Sequence, residues 1–279
     1  MLVNLKEILA GVAKQDFAIP GFNVFGYEDA IAVVRAAEAL NAPLILMTNK
    51  VAVKHMPVEY LGKLLHAVAK DAKVPVCVHL DHATGYELVA KAIMSGYTSV
   101  MYDGSQLPLN ENIKNTKEIV KLAHACGISV EAEIGAVGYS DPSLNMKAMY
   151  TEPEEAEVFA KETKVDALAV AIGTLHRMET QNAVIQYDRL EAIEKLTDVP
   201  LVIHGSTGIK DEDLRKLATY NVGKVNIGTA LRMVFGETLR KEMNEHPKEF
   251  DRIAFFQKPM DQVQKEAEKK MKLLGLGRK

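Results

Sequence analysis

The chain has 279 residues, of which 48% are hydrophobic and 25% charged, with a formal net charge of −3. This composition is typical of a globular protein, and the small negative charge predicts neither a nucleic-acid partner nor a membrane-surface partner. The chain has only two cysteines, no apolar stretch near the ~20 residues of a membrane span, and no N-terminal signal pattern. We therefore expect a cytoplasmic protein without disulfides.

Short apolar runs alternate with amphipathic segments along the whole chain. The runs are rich in Val and Ile and are apolar at consecutive positions, which is typical of strands buried on both faces of a parallel sheet. The predicted strands are Ala18–Asn23, Pro43–Thr48, Val74–Leu80, Ser99–Tyr102, Ser129–Ile134, Ala167–Ile172, Leu201–His204 and Val222–Ile227. The helical patterns are Tyr27–Leu40, Val58–Ala69, Tyr86–Met94, Ile113–Ala125, Glu154–Lys161, Leu190–Leu196, Asp211–Ala218, a stretch from Leu231 onward and Met260–Leu274.

The regular order of strand and helix predicts an α/β fold with a parallel sheet. About eight such units without a linker favour a closed (β/α)8 barrel, so residues 1–279 are expected to form one domain. The segment Gly135–Thr151 is longer than most connections between a strand and a helix. We expect it to act as a lid.

Polar side chains stand at the carboxyl end of almost every predicted strand, where barrels of this type carry their chemistry. They are Asn23, Asn49, Asp81, His82, Asp103, Glu133, His176, His204 and Asn226. Three neutral imidazoles with one open position describe a catalytic Zn²⁺ site, which predicts that His82, His176 and His204 bind the metal. His79 lies two residues before Asp81, and we expect it to form structural hydrogen bonds inside the barrel.

Glycine-rich loops follow the last two predicted strands. They are Gly205–Gly208 and Asn226–Thr229. Loops at these two positions commonly bind phosphate in such barrels, through backbone N–H groups and a helix N-terminus. The simpler interpretation is that these glycines only make tight turns.

The motifs resemble those of the class II, metal-dependent fructose-bisphosphate or tagatose-bisphosphate aldolases from end to end of the chain. The matching stretches are Pro20–Asn23, Val78–Ala83, Ser99–Ser105, Glu131–Gly135, Ala171–His176, His204–Gly205 and Lys224–Ile227. The resemblance implies reversible retro-aldol cleavage of a phosphorylated ketose to dihydroxyacetone phosphate and an aldehyde. It also implies a homodimer or homotetramer.

The resemblance assigns roles residue by residue. His82, His176 and His204 would bind a catalytic Zn²⁺, and Asp81 would exchange the proton of the hydroxyl at the broken bond. Asp103 and Glu133 would hold a second divalent or a monovalent cation, and Asp141, on the loop after the fifth strand, would be the second base. The residues that would bind the substrate or its phosphate are Asn23, Asn49, Arg177, Gly205, Ser206, Thr207, Asn226, Ile227, Gly228 and Thr229.

Several positions depart from the family pattern, and they cluster around the substrate. Arg177 follows the second metal histidine where the family usually has Gly, Tyr139 replaces a second Gly before the loop acids, and Asn49 stands where a phosphate-binding Ser is common. Arg177 would either bind phosphate bidentately or fill part of the pocket. The alternative function is therefore an aldolase for a different ketose or a ketose monophosphate.

Three other classes remain as alternatives. A class I aldolase needs a Schiff-base lysine inside the barrel, whereas Lys73, Lys164 and Lys224 are expected at or before strand starts. A metal-dependent hydrolase commonly has a His-x-His pair on the first strand, where this chain offers only Asn23. A regulatory protein that has lost turnover would not be expected to keep Asp81 and all three histidines.

Overall fold

The computed structural model describes residues 1–12, 15–140 and 148–277. The strands in these ranges are β1 (Leu2–Val3), β2 (Ile19–Asn23), β3 (Leu44–Thr48), β4 (Val76–Ala83), β5 (Ser99–Tyr102), β6 (Ser129–Ile134), β7 (Ala167–Val170), β8 (Leu201–Ile203) and β9 (Val222–Ile227). The helices are α1 (Leu5–Leu9), α2 (Tyr27–Leu40), α3 (Lys50–His55), α4 (Val58–Asp71), α5 (Tyr86–Met94), α6 (Leu109–Ala125), α7 (Pro153–Thr163), α8 (Tyr187–Leu196), α9 (Asp211–Leu217), α10 (Thr229–Glu245) and α11 (Arg252–Leu273).

Eight parallel strands close into a barrel. Neighbouring strands follow the order β4-β3-β2-β9-β8-β7-β6-β5, and β4 pairs with β5 to complete the ring. The short β1 adds to the first residues of β4, where Leu2 pairs with Val76. The predicted single-domain (β/α)8 barrel is confirmed.

The core has two parts, because strands of a closed barrel are buried on both faces. The larger part lies between the strands and the outer helices. The smaller part fills the barrel interior and also takes in Leu5, Ile8 and Leu9 of α1. A capping box starts α1, in which Asn4 Oδ1 accepts from Glu7 N at 2.8 Å and Glu7 Oε2 accepts from Asn4 N at 2.8 Å. The short helix α1 thereby covers the amino end of the barrel.

The barrel closes between residues that are far apart in sequence. β2 pairs with β9 in parallel register, with Gly21 opposite Asn226. Next to this pairing the backbone N–H of Ala18 donates to the carbonyl of Leu274 at 3.0 Å, and α11 packs against α2 and α10. The last helix therefore fastens the beginning of the first barrel strand.

Some element bounds differ from the prediction, for identifiable reasons. β4 continues three residues beyond its predicted end, so that Asp81 and His82 are part of the strand. α11 begins at Arg252 rather than Met260, because Asp251 caps it and the helix accommodates Pro259. The helices α1 and α3 were not predicted, since five or six residues are too few to show a helical period. Among the described residues, no helix is both long and apolar enough to cross a membrane.

Candidate active site

Three histidines converge at the carboxyl end of the barrel. His82 belongs to β4, His176 to the connection after β7, and His204 follows β8 directly. One ring nitrogen from each histidine lies within 4.8 Å of the other two. The ring centroids of His82 and His204 are 4.7 Å apart, and those of His82 and His176 are 4.9 Å apart. The structure thus brings together the three side chains that the sequence predicted as metal ligands.

A local irregularity of β4 lets two consecutive residues face the barrel mouth. Adjacent strand residues normally point to opposite faces, but the register against β5 shifts between Leu80 and Ala83. His82 lies in this shift with a φ of 54°, a left-handed backbone that is uncommon for a residue with a side chain. Asp81 and His82 can therefore both line the same pocket.

The unpartnered ring nitrogens of two of the histidines fit a bound divalent cation. His82 Nδ1 lies 2.8 Å from Asp103 Oδ2, and His204 Nε2 lies 3.0 Å from Glu131 Oε1. The opposite nitrogens, His82 Nε2 and His204 Nδ1, are buried without a hydrogen-bond partner among the described residues. Metal-binding histidines are typically held in this way by a carboxylate on the other nitrogen.

A second group of three side chains shares His82. Ligand atoms of His82, Asp103 and Glu133 also lie within 4.8 Å of one another. Glu133 Oε1 accepts from the backbone N–H of Val137 at 2.9 Å. Its Oε2 lies 3.2 Å from His204 Nδ1, and this oxygen has no hydrogen-bond partner in the described part of the chain.

The charged groups shift one another's pKa values. Burial would lower the pKa of His204, but the hydrogen bond to Glu131 and the nearby Glu133 carboxylate raise it to about 10. Burial, together with the positive charges of His82 and His204, holds the pKa of His176 well below its usual range. Burial opposes ionisation of Asp103, yet the hydrogen bond from His82 lowers its pKa below the ordinary value.

Asp81 is held by two asparagines. Asn23 Nδ2 donates to Asp81 Oδ2 at 3.1 Å, and Asn226 Nδ2 donates to Asp81 Oδ1 at 3.2 Å. Burial would raise the pKa of Asp81, but the positive charges of His82 and Lys224 outweigh it and lower the pKa. The side-chain oxygens of Asn23 and Asn226 have no partner among the described residues, so they are available to accept from a ligand hydroxyl.

The two glycine-rich loops lie against each other beside the histidines. Gly205 has a φ of 67°, and a Cβ at this position would come within 2.5 Å of the carbonyl oxygen of Leu175, so only glycine fits. Ser206 Oγ donates to the carbonyl of Asn226, and Thr207 Oγ1 accepts from the N–H of Ala230 at 3.2 Å. The loops therefore form one connected edge of the pocket.

Arg177 and Tyr139 stand at the same pocket. Arg177 has a φ of 59°, its guanidinium lies 5.6 Å from the ring centroid of Tyr139, and its carbonyl accepts from Ser140 Oγ at 2.8 Å. The Tyr139 ring lies 5.0 Å from that of His176. Because Tyr139 also pairs with His176 as an isolated parallel bridge, the start of the predicted lid is fastened to a candidate metal ligand.

Not every predicted site residue is placed as expected. The side chain of Ile227 is buried in the core between sheet and helices, so only its backbone can meet a ligand. Asn49 lines the pocket, but its Oδ1 accepts from Val51 N and Ala52 N and caps α3. Gly228 and Thr229 line the pocket as predicted. Asp141 lies outside the described residues.

The prediction for Lys224 was wrong. Lys224 is the third residue of β9, not a residue at its start, and its side chain is fully buried inside the barrel. Its Nζ lies 2.6 Å from Glu131 Oε2, so the amine is held in an ion pair. His79 is fully buried as well, with Nδ1 2.8 Å from Ser99 Oγ and Nε2 3.4 Å from Lys224 Nζ.

Sequence reasoning missed several residues of the site. Four of them line the pocket, namely Phe25, Lys50, Val51 and Arg232. A fifth, Glu131, contacts a candidate metal ligand. Glu131 was recognisable in principle, because it alternates with Glu133 along one strand and so must face the barrel interior as well.

Comparison with known proteins agrees with this geometry. The family model for class II fructose-bisphosphate aldolase matches residues 3–279. The structure of the YdjI aldolase from Escherichia coli K12 is similar, with a TM-score of 0.87 and 30% sequence identity over 99% of this chain and 98% of that one. A fructose-bisphosphate aldolase from Campylobacter jejuni shares the fold, with a TM-score of 0.85 and 21% identity over 100% and 97% of the two chains. The chain therefore belongs to the class II fructose-bisphosphate aldolase family and is an aldolase.

Proposed function

We propose that the chain is a zinc-dependent aldolase that reversibly cleaves a phosphorylated ketose of the fructose- or tagatose-1,6-bisphosphate type. The products would be dihydroxyacetone phosphate and an aldehyde. The observation that carries this proposal is the carboxylate of Asp81, which two asparagines hold beside three histidines whose ring nitrogens lie within 4.8 Å of one another.

His82, His176 and His204 would hold the metal, which when bound supplies a Lewis acid for the ketose oxygens. Three imidazoles suit Zn²⁺, which prefers nitrogen ligands and keeps an open position in catalytic sites. Asp103 supports this set by orienting His82 through its hydrogen bond to Nδ1. The carboxylates of Asp103 and Glu133, which lie near each other, would take a second divalent or a monovalent cation.

Asp81 would act as the general base for cleavage. Its lowered pKa keeps it a carboxylate at neutral pH, ready to accept the proton of the hydroxyl on the carbon that becomes the aldehyde. The adjacent carbon–carbon bond then breaks, and its electron pair stays on the ketone fragment. We propose that Asp141 returns a proton to that carbon, which yields dihydroxyacetone phosphate.

The glycine-rich edge would bind the phosphate of the ketone fragment. Gly205, Ser206 and Thr207 meet Gly228 and Thr229 there, and backbone N–H groups at such turns suit an anion. Asn23 and Asn226 would accept from substrate hydroxyls through their unpartnered oxygens. Arg177, beside this edge, would add a bidentate partner for the phosphate, and Asn49 would contribute a further polar contact.

A second candidate is an aldolase for a different ketose, or for a ketose monophosphate. Arg177 and Tyr139 together narrow the pocket beside His176, at positions where the family usually has glycines. We also propose a homodimer or homotetramer that works in the cytoplasm, with neither nucleic acid nor membrane as a partner.

The decisive experiment is a coupled assay with and without chelator. Its substrates are fructose- and tagatose-1,6-bisphosphate, their monophosphates and the unphosphorylated ketoses. We expect cleavage of at least one phosphorylated ketose, complete loss in chelator and recovery with Zn²⁺. Cleavage that survives chelator and is trapped by borohydride would instead indicate a Schiff base. Absence of cleavage across the panel would contradict the proposed substrate class.

A further inference from the structure

Directly beneath the candidate metal site, the barrel interior contains a chain of polar side chains in contact. Lys224 Nζ lies 2.6 Å from Glu131 Oε2, and Glu131 Oε1 lies 3.0 Å from His204 Nε2. Behind them, His79 Nε2 lies 3.4 Å from Lys224 Nζ. The side chains of His79, Glu131, His204 and Lys224 are all fully inaccessible to solvent.

The buried ion pair of Glu131 and Lys224 is unusual for the interior of a barrel. The interior of such a barrel is normally filled by branched apolar side chains, and most of this interior is indeed apolar. Burying an ion pair costs much of its own attraction in lost hydration, so an apolar pair of similar volume is often as stable or more stable. Stability therefore gives no reason for a glutamate and a lysine at this depth.

The neighbouring strand is shaped to admit the lysine. Gly21 lies on β2, which pairs with the strand β9 that carries Lys224. A Cβ at position 21 would come within 2.6 Å of the Met47 sulfur and 3.0 Å of Lys224 Cε. A side chain at position 21 would thus collide first with Met47 and then with the stem of Lys224. The glycine lets both side chains pack against the backbone of β2.

The geometry of Glu131 fixes how His204 presents its lone pair. A carboxylate accepts hydrogen bonds and cannot donate them when ionised, so His204 Nε2 must carry the proton that faces Glu131. The other nitrogen, Nδ1, has no hydrogen-bond partner in the described part of the chain, so it is the nitrogen left to ligate a metal once it has lost its proton. One ring nitrogen of His204 lies within 4.8 Å of ring nitrogens of His82 and His176, and because Nε2 contacts Glu131, Nδ1 is the nitrogen left for a metal that the three would share.

Lys224 determines which way the Glu131 carboxylate is turned. It occupies Oε2 at 2.6 Å and leaves Oε1 to His204. Lys224 also supplies the positive charge that lets Glu131 remain ionised without solvent. His79 in turn accepts from Lys224 and, through its own Nδ1, reaches Ser99 Oγ at 2.8 Å, so the lysine is fixed from both sides.

We infer that the Glu131–Lys224 ion pair is a positioning device for His204, which holds it in the tautomer that ligates metal through Nδ1. Neither residue touches the substrate in this proposal. The inference rests on the proposed metal centre. Carboxylates that hold a ligating histidine commonly change metal affinity about 10- to 100-fold when they are removed, and we expect an effect of this size here.

The test compares two double variants that remove both charges. Glu131→Leu with Lys224→Met replaces the pair by apolar side chains and leaves His204 Nε2 without an acceptor. Glu131→Gln with Lys224→Met also removes both charges but retains an amide oxygen for His204. A control in the same interior is Met101→Leu, a buried residue of β5 in the apolar cluster.

The readouts are the affinity for Zn²⁺, the visible spectrum of the Co²⁺-loaded protein and thermal unfolding of the metal-free form. We expect the Leu/Met variant to fold but to bind Zn²⁺ about 10- to 100-fold more weakly, with an altered Co²⁺ spectrum. The Gln/Met variant should recover most of the affinity, and Met101→Leu should match the wild type. Wild-type affinity and an unchanged spectrum in the Leu/Met variant would overturn the inference.

A second measurement needs no substitution. Nitrogen NMR of the ¹⁵N-labelled, Zn²⁺-loaded wild type should show the His204 proton on Nε2 and the metal on Nδ1. A proton on Nδ1 would contradict the inference even if both double variants fail to fold. Wild-type protein that binds no metal, and cleaves ketoses regardless of chelator, would contradict the proposed function itself, which separates the two failures.

Discussion

The surroundings of Asp81 keep its carboxylate oriented and ionised, as a general base requires. Two amide N–H groups fix both carboxylate oxygens, and nearby positive charge favours the ionised form. We predict that Asp81→Ala leaves Zn²⁺ affinity nearly unchanged and lowers kcat by about 10²-fold or more, the usual scale for acid–base groups. Steady-state kinetics with metal analysis checks this, with the exposed Asp71→Ala as control. Normal turnover in Asp81→Ala would refute the role.

His204 gives a prediction for pH. Its pKa in the metal-free fold is raised to about 10, so the ring is protonated at neutral pH and must lose a proton before it can ligate a metal. Metal uptake should therefore release protons, and the apparent affinity should rise with pH from 6 towards 10. Calorimetric titration in two buffers of different ionisation enthalpy measures the released protons. No release at pH 7 would mean that His204 is already neutral there.

Substitution of Arg177 tests whether its strained backbone is kept for substrate binding rather than for stability. A left-handed backbone costs a residue with a side chain about 1–2 kcal/mol, while glycine adds unfolded-state entropy of similar size. Arg177→Gly should thus change the unfolding free energy by less than about 1 kcal/mol. It should lower kcat/KM for a phosphorylated substrate about tenfold or more, because a charged hydrogen bond is lost. Steady-state kinetics measures this, with Arg35→Ala, a change of an exposed arginine on α2, as the control. An unchanged kcat/KM in Arg177→Gly would show that Arg177 does not bind the substrate.

At the scale of elements, the loop after β8 depends on one glycine. Gly205 has a positive φ and a carbonyl oxygen within 2.5 Å of where a Cβ would be. Gly205→Ala should destabilise the fold by about 1–3 kcal/mol and weaken metal binding through His204. Gly236→Ala is the matched control, because it lies in α10 with open space around it and should stabilise by about 0.5–1 kcal/mol. Chemical unfolding measures the stability of both variants. Equal changes in the free energy of unfolding would show that Gly205 is not required at its position.

Sequence patterns predicted the long elements well and their ends less well. Short runs rich in Val, Ile, Leu and Ala marked all eight barrel strands, and most of these runs are apolar at consecutive positions because both faces are buried. The extension of β4 to Ala83 was missed because its last residues are polar and reach the site through a backbone irregularity, which depends on pairing with β5. Lys224 was expected at a strand start although the predicted strand Val222–Ile227 already contained it. The sequence does not show that Glu131 provides a buried partner for the charge of this lysine inside the barrel.

At the scale of the whole molecule, the predictable part of the site was the set of residues at strand ends. A closed barrel gathers these ends in one place, so distant positions such as His82 and His204 become neighbours without any local signal. What could not be predicted was which atoms contact one another. The hydrogen bond that His204 donates to Glu131 depends on rotamers and on the strand registers around the barrel.

Removal of the metal should lower the stability of the whole folded molecule. A ligand that binds only the folded state stabilises it in proportion to the logarithm of its concentration over Kd. Zn²⁺ at 100 times its Kd should raise the unfolding free energy by about 2.7 kcal/mol, and chelator should reverse this together with activity. Calorimetry with and without chelator measures it. In the His176→Ala variant the stabilisation should be much reduced; an equal gain there would place the metal elsewhere.

The pairing of β2 with β9 has a consequence for folding during synthesis. Ile19 meets Lys224 across this seam, and the carbonyl of Leu274 receives the N–H of Ala18, so contacts span nearly the full length of the polypeptide. Such long-range contacts slow folding, because distant segments must be brought together first. During translation the ring cannot close until β9 has left the ribosome, because β9 is the strand that pairs with β2. A nascent chain would therefore expose the unpaired edges of its first and latest strands to chaperones until Val222–Ile227 has emerged.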